Sequence, residues 1–186
     1  DLLESRGLGD VYKRQPIQIV ENFAFSVNFP ESITVYTSRV EFDGVEGAEA
    51  QHEGIDYINN DRDATDVPIY TIGSGTVVYA RTGCVSSSQF ASNTLQRECG
   101  AGWGNHLVIQ HSRSVFSRYA HLRTDGVLKA VGEQVEKNEI IGIMGNSGRS
   151  DMRHLHLEIG KSVTPFRSCA SSQSFESVTD PRRFGL

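Results

Sequence analysis

The sequence predicts an all-β domain, a sandwich or barrel of many short strands. Two observations lead to this: runs rich in β-branched and aromatic residues recur along the chain between glycine-bearing turns, and no segment of useful length spaces its apolar residues with a helical period. No internal repeat at solenoid periods is present.

Taken in order, residues 16–50 show short alternating runs, such as Ser32-Ile33-Thr34-Val35-Tyr36 and Arg39-Val40-Glu41-Phe42, that suit edge strands and turns. Residues 51–58 read as one strand with Ile55 and Tyr57 on one side, and residues 59–66 as a charged loop. Val67-Pro68-Ile69-Tyr70 leads to the turn Gly73-Ser74-Gly75 and a β-branched strand over 76–80. Gly102-Trp103-Gly104-Asn105 opens a strand over 106–111, and another covers 115–122. Two more are expected at 127–135 and 139–144, before the turn Gly145-Asn146-Ser147-Gly148. The tail is a Ser-rich loop over 164–177 with a final turn at Asp180-Pro181.

The last strand of this series, His154-Leu155-His156-Leu157-Glu158-Ile159, has two unlike faces. Alternate side chains point to opposite sides, so Leu155, Leu157 and Ile159 face inward while His154, His156 and Glu158 share the other face. Solubility alone is better served by Lys, Thr or Ser than by two imidazoles that titrate near neutral pH. That face reads as a site. Glu158 either accepts a ring N–H from a histidine or is a solvated strand residue, and the solvated reading is preferred.

Composition narrows the function classes. With 186 residues the chain is the size of one domain able to bury a core. Its 18 Lys and Arg are scattered and outnumbered by 23 Asp and Glu, so nucleic acid is not an expected partner. No apolar run approaches the roughly 20 residues of a membrane span. Residues 1–15 resemble translated adapter sequence and are set aside, leaving one expected domain over 16–186. The first residue is not Met, so the native N-terminus is expected to be missing and a signal or membrane anchor is not observable.

Of the three cysteines, Cys84 and Cys99 bracket a Ser/Gln/Asn-rich loop. A disulfide there would close a loop of about fifteen residues, worth about 3 kcal/mol in the chain-entropy model, and would point to an exported protein. The alternative is a pair of cytosolic thiols; the bridge is favoured. Cys169 is left free or pairs upstream.

Catalytic zinc takes three protein ligands and keeps one position for water. His52 and Asp56 are four apart on a strand-like stretch and lie on one side if the strand is regular, with Gly54 between them allowing a bend or a close approach. With His156 they make a His-Asp-His set, leaving His121 and His154 as non-ligating histidines. His106 and His111 read as surface or packing residues, Tyr119 as core or as a support for the site, and Asn105 as closing a turn. Trp103 either lines a groove or is simply packed.

His52-Glu53-Gly54-Ile55-Asp56, Gly102-Trp103-Gly104-Asn105, Tyr119-Ala120-His121-Leu122 and His154-Leu155-His156, in that order, resemble the motifs of lysostaphin-type zinc metallopeptidases, as do Val131-Gly132-Glu133-Gln134-Val135 and the run from Ile140 to Gly148. The resemblance implies an antiparallel two-sheet β-sandwich or groove of the duplicated hybrid motif type, a Zn2+ cofactor and an endopeptidase acting on bacterial peptidoglycan. A periplasmic or extracellular location and a monomer are expected. Carried over residue by residue, it makes His52, Asp56 and His156 the zinc ligands, and His121 and His154 the catalytic histidines beside the attacking water. Ser150-Asp151-Met152-Arg153 departs from the family's Gly-Pro-like pair, which puts the shape of that loop in question. The rival readings are a non-catalytic relative that binds cell wall or regulates a hydrolase, which typically loses ligands, and a cupin-type metal protein, which has no use for His52 and Asp56.

Overall fold

The computed structural model describes residues 36–44 and 50–184. The expectations for residues 1–15 and for the run beginning at Ser32 lie outside these, apart from Tyr36. Among the described residues the chain forms β1 (Tyr36–Val40), β2 (Asp43–Gly44), β3 (Ala50–His52), β4 (Gly54–Asn59), β5 (Pro68–Tyr70) and β6 (Gly75–Arg81). After a short 3-10 turn at Cys99–Gly102 come β7 (Asn105–Gln110), β8 (Val115–Val127), β9 (Gln134–Val135), β10 (Ile140–Met144), β11 (Leu155–Lys161) and β12 (Ser177–Thr179). The all-β, antiparallel expectation holds.

The main sheet runs in the order β1-β4-β11-β8-β7-β6-β9, with β12 on β11 and β10 bridging β8 and β5, while β2 and β3 make a separate two-stranded sheet. Within it β11 lies between β4 and β8, pairing with β4 over Leu155–Glu158 and with β8 over His156–Lys161. Register there follows from side-chain alternation. Leu155, Leu157 and Ile159 are buried in a core with Leu107, Ile109, Tyr119 and Ile141. A slip by one residue would exchange them for His154, His156 and Glu158. Burial of each aliphatic side chain, about 1.5–3 kcal/mol, opposes that slip.

The opposite face of the sheet carries the histidines at one end. At the other end it is roofed by Phe175, packed with Phe116, Tyr79 and Val108, and by Phe166 from the loop after β11. Two isolated aromatics in a Ser-rich tail thus cover one end of the sheet.

Three elements differ from expectation. The stretch 51–58 is not one strand: β3 pairs with β2, β4 pairs with β1 and β11, and the break falls at Glu53. Gly54 opens β4 because a Cβ there would lie 2.2 Å from the Leu157 carbonyl oxygen. In the 127–135 stretch only Val127 and Gln134–Val135 pair; Leu128 and Val131 are 48% and 41% exposed, and Gly132 turns the chain at φ 96°. β8 is longer than expected and changes partners midway, from β11 at Ala120 to β10 at Leu122. The residue between them, His121, sits at φ 58°.

Candidate metal centre

Neighbouring strands β4 and β11 place Asp56 directly opposite His156, and β3 delivers His52 from across the break at Glu53. Asp56 Oδ1 lies 3.1 Å from His52 Nε2 and 2.8 Å from His156 Nδ1. One donor atom from each of the three falls within 4.8 Å of the others. The far nitrogen of each histidine is already engaged. His52 Nδ1 donates to the Glu41 carbonyl at 2.9 Å, and His156 Nε2 donates to Glu158 Oε1 at 3.0 Å.

This arrangement tests whether a metal fits. A carbonyl and a carboxylate can only accept, so each far nitrogen must carry its proton. A neutral imidazole then turns a lone pair toward Asp56, and two lone pairs facing a carboxylate require a cation between them. Without a metal that cation is a proton. Burial pulls the Asp56 carboxyl up, but the hydrogen bonds from His156 and His52 outweigh it and hold the group well below the usual carboxylate range. Burial lowers His156, yet hydrogen bonds to Asp56 and Glu158 push it up to about 9, and the hydrogen bond to Asp56 raises His52. Two histidines and a carboxylate with fixed outer hydrogen bonds are a donor set suited to Zn2+.

His121 and His154 stand beside this set, their ring centroids 4.6 Å apart. His121 Nδ1 donates to the Ser147 carbonyl at 2.8 Å and His154 Nδ1 to that of Met152 at 2.7 Å, which fixes each ring with Nε2 as its other nitrogen. The His154 Nε2 is 3.6 Å from Asp56 Oδ1. Burial, followed by the nearby His154 and His156, keeps the His121 pKa well below its ordinary value. The left-handed backbone at His121 lets its amide donate to the Trp103 carbonyl at 2.9 Å and swings the ring out of the strand's alternation. All five predicted residues line one cavity of about 440 Å³, which Trp103 and Glu53 also border.

Glu158 corrects the sequence reading. It is 1% exposed rather than solvated, and besides His156 it accepts from Trp103 Nε1 at 2.5 Å and from Arg118 Nη1 at 2.9 Å. Arg118 was not singled out from the sequence; it is fully buried, stands opposite Glu158 in the β8–β11 register, and lies 3.6 Å from the Trp103 ring centroid. A single charged residue within the strand-like run 115–122 was the available signal.

Comparison with known proteins gives the family and the fold. The sequence profile of peptidase family M23 matches residues 50–167, more than half of the chain. The chain belongs to peptidase family M23. Among relatives of this M23 domain, the peptidoglycan DD-endopeptidase ShyA of Vibrio cholerae is 30% identical over 149 residues, 80% of this chain and 27% of ShyA. The domain therefore spans about a quarter of that relative's length. Lipoprotein NlpD of Yersinia enterocolitica is 36% identical over 103 residues, which cover 54% of this chain and 87% of NlpD. In fold, the M23 domain resembles the catalytic domain of the prophage-encoded M23 protein EnpA from Enterococcus faecalis, with a TM-score of 0.53 at 22% identity over 88% of this chain and 99% of that one.

Two loops, residues 59–66 and the segment between Cys84 and Cys99, pack outside the cavity of the M23 site. Cys84 and Cys99 form the expected disulfide, closing a separation of 15 residues, and Cys169 is free and exposed. Asn105 does not merely close a turn: from a fully buried position it accepts from the Cys84 amide and donates to the Cys84 and Leu122 carbonyls, tying the bridge to β8. His106 is a packing residue, stacked on Tyr79, with burial holding it neutral down to about 3. Tyr119 is core, its hydroxyl accepting from the Ile72 amide. At the departure over 150–153 none of the residues adopts positive φ. Arg153 is instead buried, packs 4.8 Å from the Phe90 ring centroid and donates to the carbonyls of Ala64 and Arg62, joining both loops.

Proposed function

We propose that this M23 domain is a zinc-dependent endopeptidase that hydrolyses peptide bonds in bacterial peptidoglycan, with His52, Asp56 and His156 holding the ion and His121 and His154 acting beside it. The observation that carries the proposal is the convergence of three donor atoms within 4.8 Å, each histidine with its outer nitrogen committed to an acceptor. Zinc, when bound, makes water nucleophilic near neutral pH and polarises the scissile carbonyl. The chain's own residues supply the rest. His121 and His154 line the cavity with each Nδ1 held by a backbone carbonyl, and one serves to take a proton from water while the other stabilises the oxyanion or protonates the leaving amine. Trp103 forms an aromatic wall for the bound peptide.

The substrate assignment is supported by the peptidoglycan endopeptidase relatives, and an envelope location, periplasmic or extracellular, is supported by the Cys84–Cys99 disulfide. The filled donor set favours catalysis over a purely binding or regulatory role. The test is metal content of the purified protein, together with digestion of intact peptidoglycan with and without a chelator. About one zinc per chain and chelator-sensitive release of new amino groups are expected; a protein without zinc and without release overturns the proposal.

A further inference from the structure

We propose that Glu158 is a positioning residue of the metal centre, fixing His156 with its proton on Nε2 and its Nδ1 toward the ion, and that Arg118 and Trp103 hold Glu158 for this task. The inference rests on the zinc reading above and goes beyond it by assigning three residues that touch neither ion nor reacting bond.

The carboxylate of Glu158 is shared in a particular way. Its Oε1 accepts both the His156 Nε2 proton, at 3.0 Å, and the Trp103 indole proton, at 2.5 Å, while Oε2 accepts from Arg118 at 2.9 Å. An acceptor with no proton to give permits one tautomer of a neutral His156, the one with a lone pair on Nδ1, and that is the nitrogen 2.8 Å from Asp56. Without Glu158 the ring is free to adopt the other tautomer or to rotate about its Cβ–Cγ bond, and either change removes the lone pair from the site.

Glu158 in turn is held from two sides. The Arg118 guanidinium lies 3.6 Å from the Trp103 ring centroid and 4.7 Å from that of Phe175, and its Nη2 donates to the Gln173 carbonyl. A planar, forked cation between two aromatic rings has one place to go, which a lysine would not reproduce. Register keeps the parts aligned: Arg118 stands opposite Glu158, and Ala120, with a side chain of one methyl, stands opposite His156. Stability alone does not account for the pair, because a buried salt bridge roughly breaks even with apolar residues of the same volume. Placing the metal-facing histidine and the indole on one oxygen does account for it. Of the three residues, Trp103 alone lines the cavity, so a peptide seated on the indole is one hydrogen bond from Glu158 and two from His156.

The test measures zinc affinity of the metal-stripped full chain by competition with a chromophoric chelator at fixed pH, for wild type, Glu158→Gln and Trp103→Phe. It is joined by nitrogen NMR of 15N-histidine-labelled, zinc-loaded wild type. In Glu158→Gln the amide keeps one accepting oxygen but sets an N–H against the donors of Arg118 or Trp103, and zinc affinity is expected to fall about 10–100-fold. Trp103→Phe keeps an aromatic ring beside Arg118 but removes the indole proton with its five-membered ring and leaves the Glu158 carboxylate in place, so its affinity falls in the same direction by less. The spectrum is expected to show the His156 proton on Nε2. A folded Glu158→Gln with wild-type affinity overturns the proposal, as does a His156 proton on Nδ1. If Glu158→Gln does not fold, Trp103→Phe decides, and unchanged affinity in it overturns the proposal. Wild type that binds no zinc overturns the metal reading itself, and this inference with it, which separates the two failures.

Discussion

Asp56 and His156, 100 residues apart in the chain, face each other across the β4–β11 ladder with Oδ1 and Nδ1 2.8 Å apart. His52 approaches the same Asp56 oxygen at 3.1 Å, so one carboxylate oxygen is the meeting point of the whole site. His121 and His154 keep their Nδ1 protons on backbone carbonyls instead.

That division predicts two classes of variant. His52→Ala, Asp56→Ala and His156→Ala are expected to lose zinc and peptidoglycan hydrolysis together. His121→Ala and His154→Ala are expected to retain about one zinc and to lose roughly 10²–10⁴-fold in turnover, the usual contribution of a general acid or base. Metal analysis beside turnover measures both, and an equal fall in zinc across all five variants contradicts the division.

Zinc affinity is expected to rise with pH. In the metal-free protein His156 is raised to about 9 and His52 is raised as well, so zinc must displace protons held on Asp56's side of both rings. The stabilising effect of the raised His156 is fully present below its unfolded value of 6.5 and is lost as pH climbs through about 9. Metal-free protein should therefore lose stability between these values while zinc-loaded protein does not, and acidification should release the ion. Denaturant melts of both forms across that range, with calorimetric proton counting on zinc addition, provide the check; pH-independent zinc binding contradicts it.

Gly54→Ala is expected to damage the site without touching a functional group. The added Cβ would sit 2.2 Å from the Leu157 carbonyl oxygen and 2.8 Å from its carbon, a clash with backbone that cannot rotate away. Relief requires β4 to move from β11, taking Asp56 from His156. A loss of more than about 2 kcal/mol in stability, with weakened zinc binding, is the expected result. A variant with unchanged melting and zinc affinity would show that the strands tolerate the separation.

Removal of the disulfide by the double substitution Cys84→Ser and Cys99→Ser is expected to cost about 3 kcal/mol, as for a loop of roughly fifteen residues. Cys99 begins the turn that ends beside Trp103, whose carbonyl receives the His121 amide and whose indole reaches Glu158. Turnover should consequently fall further than zinc content. Thermal melts with parallel metal and activity assays measure each effect, and equal stability of the bridged and unbridged proteins contradicts it.

Much of this molecule is readable from local pattern. The alternation in His154–Ile159 determines that three aliphatic side chains enter the core and that the histidines share a face, because strand periodicity depends only on residues two apart. Glycine turns and β-branched runs determine an all-β chain, the composition of the segment between Cys84 and Cys99 marks a loop, and the ordered motifs identify the M23 relationship. Tertiary structure alone decided the rest. Charged residues are ordinarily exposed, so Glu158 reads as solvated until the β8–β11 register sets Arg118 opposite it and Trp103 closes over the pair. The break between His52 and Gly54, the left-handed turn that brings His121 to His154, and the seating of Arg153 under Phe90 likewise depend on the packing of distant segments. Local periodicity specifies which way a side chain points; what it meets there is set by register and loop packing between segments tens of residues apart, and no local pattern encodes that.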